Sequence, residues 1–351
     1  MKEYDSLGHL WLPYVMYFHT PNYRSPIVNT DSYGFRFSIK SGEVIKDFET
    51  GSEESFSLLV GGSTAFGIGA TSDKTTIPSL LNNSTGMLWL NYGGRAFGST
   101  QEFIMFMLTH KHINRINKVL LFSGLNNLIL FYLSNEYSKE FGSFFFWNHY
   151  NNSMNLSSNL SPRRRVLKRM LSPFLKDTID YQRIGLQDII YLIKNRRLPE
   201  KKVQSNVSYF ETISNHEEEK QKIFFSWEKD LANWKLMSEA LKFDLIYILQ
   251  PMANWVKENF CLEEKKIFEE LDRHPANHWK IISHKMGNER YEWLKLNIEN
   301  ICNTNNIRFF DMNEALKKHN IDEKWLFVDR AHLTDEGNRI VADIIKEEIL
   351  G

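Results

Sequence analysis

Five stretches of the chain are apolar on consecutive positions rather than on alternate ones. They are Phe56–Val60, Met87–Asn91, Lys118–Ser123, Phe243–Leu249 and Ile307–Met312. Runs of this length, apolar on both faces and bounded by Gly, Asn or Pro, predict strands of a mainly parallel sheet buried on both sides. Between them the pattern changes to helical spacing. Thr76–Leu81 predicts a helix capped by Thr75 or Thr76, with Pro78 in its first turn. Phe103, Phe106, Met107 and His110 share one face of a helix from Ser99 to about His112, a core stripe. Phe224, Trp227, Leu231, Trp234 and Met237 mark a long helix from Glu217 to Leu241. Further helices are predicted at 262–272 and 286–304. Thr334 predicts the cap of the last one, whose first turn carries Asp335 and Glu336, favourable for the helix dipole.

Two regions break the alternation. Residues 1–55 carry Pro13, Pro21 and Pro26 without a clear period, and read as an extended segment packed on the core, with a turn at Asp31–Gly34. Arg36 in this segment reads as solvated or structural in preference to reaching the pocket. An insertion at about 134–240 begins with Phe144–Trp147 and an Asn/Ser-rich run to Asn159. Basic clusters follow at Arg163–Arg165, Lys194–Arg197 and Lys201–Lys202, with short helices near 163–175 and 182–195. Each cluster reads as a solvated helix face. The resulting fold class is α/β, in three layers, with the core domain spanning 56–351 around the insertion.

Composition narrows the function more than the fold. Lys and Arg total 43, as do Asp and Glu, so no global charge favours nucleic acid or an anionic membrane. Two cysteines, Cys261 and Cys302, cannot build a disulfide framework. No run approaches the ~20 apolar residues that a membrane span needs. The acidic start, Met1–Asp5, is no secretory leader. The expectation is a cytoplasmic protein without a metal or other cofactor.

Candidate chemistry sits where the strands end. Gly61-Gly62-Ser63-Thr64 follows the first strand, and Ser63 lands on the loop at its carboxyl end, where open α/β sheets bind ligands. A serine needs a neighbouring base. Asp329-Arg330-Ala331-His332 supplies a histidine and an orienting carboxylate on one turn, although alone it reads better as a surface turn that caps the last helix. The second strand ends in Asn91–Ser99 and the third in Gly124-Leu125-Asn126-Asn127. The glycines of the former let the backbone approach a ligand and present N–H groups. An Asn amide of the latter suits a developing oxyanion, although a strand ending in Gly and Asn is often just a turn. Gly94, Arg95, Asn127 and Gln250, also at strand ends, are candidates for substrate contacts.

Taken together and in this order, the four blocks resemble the SGNH (GDSL-like) hydrolase family, over about 56–133 and 243–350. The resemblance implies a flavodoxin-like domain with a five-stranded sheet. It also implies Ser63 as nucleophile, His332 as base and Asp329 as its partner. The oxyanion would be held by the Ser63 and Ala96 N–H groups and the Asn126 amide. Gly62 stands where many members carry Asp, Ala96 where the family has glycine, and Asn127 where it often has Asp. The Gly-Gly-Ser-Thr block is similar to the carbohydrate-modifying esterase and acetyltransferase branch. The expected activity is removal of a short acyl group from a carbohydrate or related metabolite. An O-acyltransferase, a lipid or thioester hydrolase and a non-catalytic carbohydrate-binding protein are the alternatives.

Overall fold

The computed structural model describes residues 2–45, 54–133, 145–146, 216–273, 286–319 and 321–351. The chain divides into one body, Met1–Phe144 with Ile213–Gly351, and a second unit, Phe145–Thr212. The helices expected at 163–175 and 182–195, and the basic clusters, lie outside the described residues. The helix His216–Leu241, expected within the insertion, belongs to the first body and packs on its sheet.

All five expected strands are present: β5 (Ser55–Gly61), β6 (Leu88–Gly93), β7 (Arg115–Ser123), β8 (Asp244–Leu249) and β9 (Arg308–Asp311). They form one wholly parallel sheet in the order β6-β5-β7-β8-β9. Counted within the sheet this is 2-1-3-4-5, the flavodoxin-like order. Its topological switch point, where the connections diverge from the first strand, lies between β5 and β7. Continuous burial along Phe56–Gly61 of β5 and Val119–Ser123 of β7 follows from helices on both faces.

On one face, Ile77 and Leu81 of α3 (Ile77–Ser84) pack with Leu316 of α10 (Met312–Lys317) and Val341 of α11 (Asp335–Ile344). They cover Leu59, Leu120, Ile246 and Ile248. On the other lie α4 (Ser99–Thr109), α6 (His216–Leu241) and α9 (Asn288–Thr304). Trp234 of α6 sits 4.7 Å from the Phe106 ring of α4, and Trp227 and Leu231 are buried beside it. Each such side chain contributes roughly 1.5–3 kcal/mol by leaving water. Thr334 caps α11 by accepting from the Gly337 N–H at 3.1 Å. Thr76 occupies the cap position of α3, but its hydroxyl donates to Asp73 O instead.

The amino-terminal segment has more structure than its sequence suggests. A helical turn, α1 (Lys2–Ser6), leads into an antiparallel hairpin, β1 (His9–Leu12) with β2 (Met16–His19). The outer strand is exposed on successive positions, which erases the alternation that would reveal it. A second small hairpin pairs β3 (Ile39–Lys40) with β4 (Glu43–Val44). Ser41 and Gly42 both have positive φ, as a tight two-residue turn requires. The expected turn at Asp31 forms, with the carboxylate accepting from the Tyr33 and Phe35 N–H groups.

Candidate active site

Ser63 begins α2 (Ser63–Phe66), a single helical turn directly after β5. Gly61 and Gly62 are there because no side chain fits. A Cβ on Gly61 would stand 2.1 Å from Phe122 O, and one on Gly62 would stand 2.5 Å from Asn126 Nδ2. Gly67, with φ +89°, ends the turn. Its carbonyl and that of Phe66 accept from the buried Arg36 guanidinium, which also bonds Asp73 at 2.7 Å. Tyr4 donates to Gly67 O as well. The serine turn is thus gripped from behind by residues of the first 36 positions, and of the two roles expected for Arg36 the structural one holds, since the side chain is buried.

His332 reaches Ser63 from a hairpin-like loop between Leu326 and Thr334. Its Nε2 lies 2.6 Å from Ser63 Oγ, and its Nδ1 lies 2.7 Å from Asp329 Oδ2. The other carboxylate oxygen, Oδ1, accepts from the backbone N–H groups of Ala331 and His332, both at 2.8 Å. Burial raises the Asp329 pKa, but the His332 charge and these hydrogen bonds outweigh it, so the carboxyl ends below its ordinary value. An ionised Asp329 accepts from Nδ1–H. That leaves the Nε2 lone pair facing the serine hydroxyl, which donates to it.

Several anchors hold this loop. Thr64 Oγ donates to Ala331 O, and the Ala253 N–H donates to Arg330 O. Arg330 pairs with both oxygens of Asp272 at 2.8 and 2.7 Å. Glu264 Oε1 accepts from the Leu326 and Phe327 N–H groups, while its Oε2 accepts from Lys257 Nζ at 2.7 Å. Both members of that ion pair are fully buried.

Opposite, the Gly94–Phe97 turn and Asn126 form the other wall. Asn126 opens α5 (Leu125–Leu133) and gives one amide hydrogen to Phe97 O at 2.7 Å. Ala96 adopts φ +60°, the left-handed conformation in which glycine is at ease. Three of the four N–H groups in this turn are engaged: Gly94 with Gly61 O, Arg95 with His19 Nε2 and Phe97 with Gly94 O. Among the described residues, the Ala96 N–H has no intramolecular acceptor.

Each of the four candidates for substrate contacts is also engaged within the fold. Gly94 is buried, and a Cβ on it would meet the Phe97 ring at 2.1 Å. The Arg95 guanidinium turns away from the turn to bond Tyr4 O at 2.6 Å and Gly8 O. Asn127 pins the start of α4, accepting from the Ser99 N–H and donating to Ser99 Oγ. Gln250 is 3% exposed and donates to Thr64 Oγ. Conversely, Tyr17, His19, Lys257 and Glu264 support the site without any local sequence signal. Among the described residues no group of three or more His, Cys, Asp or Glu is placed to hold a metal ion, and no helix is long and apolar enough to cross a membrane. Cys261 and Cys302 are both free thiols.

No family model matches the chain, and no curated protein does. Solved structures with a similar course include the acetyl xylan esterase AlAXEase, 11% identical over 84% of this chain and 99% of that one, at a TM-score of 0.40. A G-D-S-L lipolytic family protein from Veillonella parvula is 9% identical over 84% and 98%, at 0.42. The lipase/acylhydrolase from Enterococcus faecalis is 12% identical over 84% and 95%, at 0.38. At this level of identity and superposition, none of the three bears on which reaction the site performs.

Proposed function

We propose that the protein is a serine ester hydrolase of the SGNH (GDSL-like) type, releasing a short acyl group, acetyl, from a carbohydrate or related metabolite. One observation carries the reading: an unbroken chain of hydrogen bonds from Ser63 Oγ through both nitrogens of His332 to Asp329. In this reading Ser63 Oγ attacks the ester carbonyl while its proton passes to His332 Nε2. The new oxyanion faces the Ser63 and Ala96 N–H groups and the Asn126 amide, the loss of one such donor costing about 2.7–4 kcal/mol. Collapse breaks the ester C–O bond, and the departing alcohol takes the proton from His332. A water, deprotonated by the same nitrogen, then attacks the acyl-enzyme and frees the acid and Ser63.

The carbohydrate assignment has softer support. It rests on the Gly-Gly-Ser-Thr block and on the exposure of Trp11 and Trp325, at 50% and 42%. Trp11 packs edge-on against Tyr17, and Trp325 immediately precedes the His332 loop; both exposed indoles offer a flat apolar face of the kind that stacks on a sugar ring. The test is labelling with a fluorophosphonate probe. The wild type is expected to take up one equivalent and Ser63→Ala none. Labelling that persists in the variant, or never appears, refutes the catalytic reading. Acetate release from acetylated sugars, measured with and without a hydroxyl acceptor, then separates hydrolysis from transfer.

A further inference from the structure

We infer that Tyr17 and His19, on the amino-terminal hairpin, are positioning residues that aim the Ala96 N–H at the oxyanion. The inference rests on the serine-hydrolase reading above and extends the active apparatus to a segment outside the four blocks.

The Ala96 N–H belongs to the Arg95–Ala96 peptide, and the hairpin fixes the peptides on either side of it. Before it, the Arg95 N–H donates to His19 Nε2 at 3.0 Å. After it, Tyr17 Oη donates to Ala96 O at 2.5 Å. The tautomer of His19 is set by its other nitrogen. Nδ1 lies 3.0 Å from Gly34 O, which can only accept, so Nδ1 carries the hydrogen and Nε2 presents its lone pair. Both side chains are buried, at 1% exposure. The His19 ring lies 4.2 Å from Phe66 and 4.4 Å from Phe18, and Tyr17 packs edge-on to Phe97 at 5.9 Å. Neither can swing away from its partner without breaking a packed aromatic layer.

Such a clamp answers a specific difficulty. An L-residue pays roughly 1–2 kcal/mol for the left-handed conformation, which glycine occupies freely. Strained backbone persists only where the surroundings over-determine it. Ala96 stands where the resembling family has glycine, and it is here that two side chains grip the flanking peptides. The Arg95 guanidinium closes the same arrangement by tying the turn to Tyr4 O and Gly8 O.

The test uses the full chain, p-nitrophenyl acetate as substrate and the fluorophosphonate as titrant. Tyr17→Phe and His19→Leu are each expected to lower kcat about 10- to 100-fold, with KM within about twofold, because a donor misplaced by an ångström loses rate rather than ground-state binding. Phosphonylation slows in parallel but still reaches one equivalent per chain, which a mere loss of folded protein does not produce. His19→Gln, which can accept at one atom and donate at another, retains more activity than His19→Leu. Adding Ala96→Gly to Tyr17→Phe restores part of the rate, since glycine does not need to be held. Tyr14→Ala, at the exposed hairpin tip, reacts at the wild-type rate. The inference is overturned if both clamp variants turn over within twofold of wild type. It is equally overturned if their deficit appears entirely as a smaller labelled fraction. A wild type that is never labelled removes the parent reading, and this one with it.

Discussion

The two walls of the cleft differ in the side chains that anchor them, ion pairs on one and, beside the Arg95 guanidinium, neutral groups on the other. On the imidazole side, the loop from Lys324 to His332 is tied down by charge: the buried Lys257–Glu264 pair and the two-pronged Arg330–Asp272 contact. On the oxyanion side, the Gly94–Phe97 turn is tied to the hairpin by a phenol and a neutral imidazole. The Lys257–Glu264 pair, fully buried on both sides, is costly to break, because the abandoned partner stays buried. Neutral hydrogen bonds contribute little net stability but fix direction. Loss of the Lys257–Glu264 anchor is therefore expected to register mainly as unfolding, and loss of the hairpin's neutral anchors mainly as lost rate.

The largest effect should separate the walls by chemistry. His332→Ala removes the proposed base and is expected to lower kcat on the order of 10⁶-fold, judged from hydrolases of the same logic. Asn126→Ala removes one donor of three and should cost about 10²- to 10³-fold. Equal losses in steady-state assays would mean that the two walls do not divide the labour this way. Stability comes next. Lys257→Met strands the Glu264 carboxylate and should cost about 3–5 kcal/mol in a denaturant titration, against about 1 kcal/mol for Tyr17→Phe. A reversed ranking would break the contrast.

The smallest expected effect is a dependence on pH from behind the oxyanion wall. Glu102 lies on α4, immediately after the turn, and accepts from Ser123 Oγ at 2.8 Å. Burial pushes its pKa up to about 8. The unfolded chain ionises it near 4.5, so its contribution is fully present below that pH and is lost as pH rises through about 8. Thermal melts at pH 5 and pH 8.5 should show a smaller decline for Glu102→Gln than for wild type. Asp329, held below its ordinary value, acts in the opposite sense: its contribution is present above 3.8 and is lost as pH falls through its folded pKa.

What the sequence reveals follows the range of the interactions involved. The five strands are legible because burial on both faces writes itself as a continuous apolar run. Asp329 and His332 are recognisable as a pair because one turn brings them together. Arg95, Asn127 and Gln250 look like ligand contacts at strand ends, yet their partners are 87, 28 and 186 positions away, and nothing local announces them. The hairpin is hidden for a related reason. Tyr17 and His19 are buried against the Phe97 and Phe66 rings rather than against the central sheet, and their opposite strand faces outward.

Ser63 and His332 are 269 positions apart in the chain. At roughly 5–20 residues per second, a ribosome needs on the order of 13–54 s to travel between their codons. Throughout that interval the serine exists without its base. On the proposed reading, the growing chain cuts no ester until residue 332 has been added and has folded against Ser63.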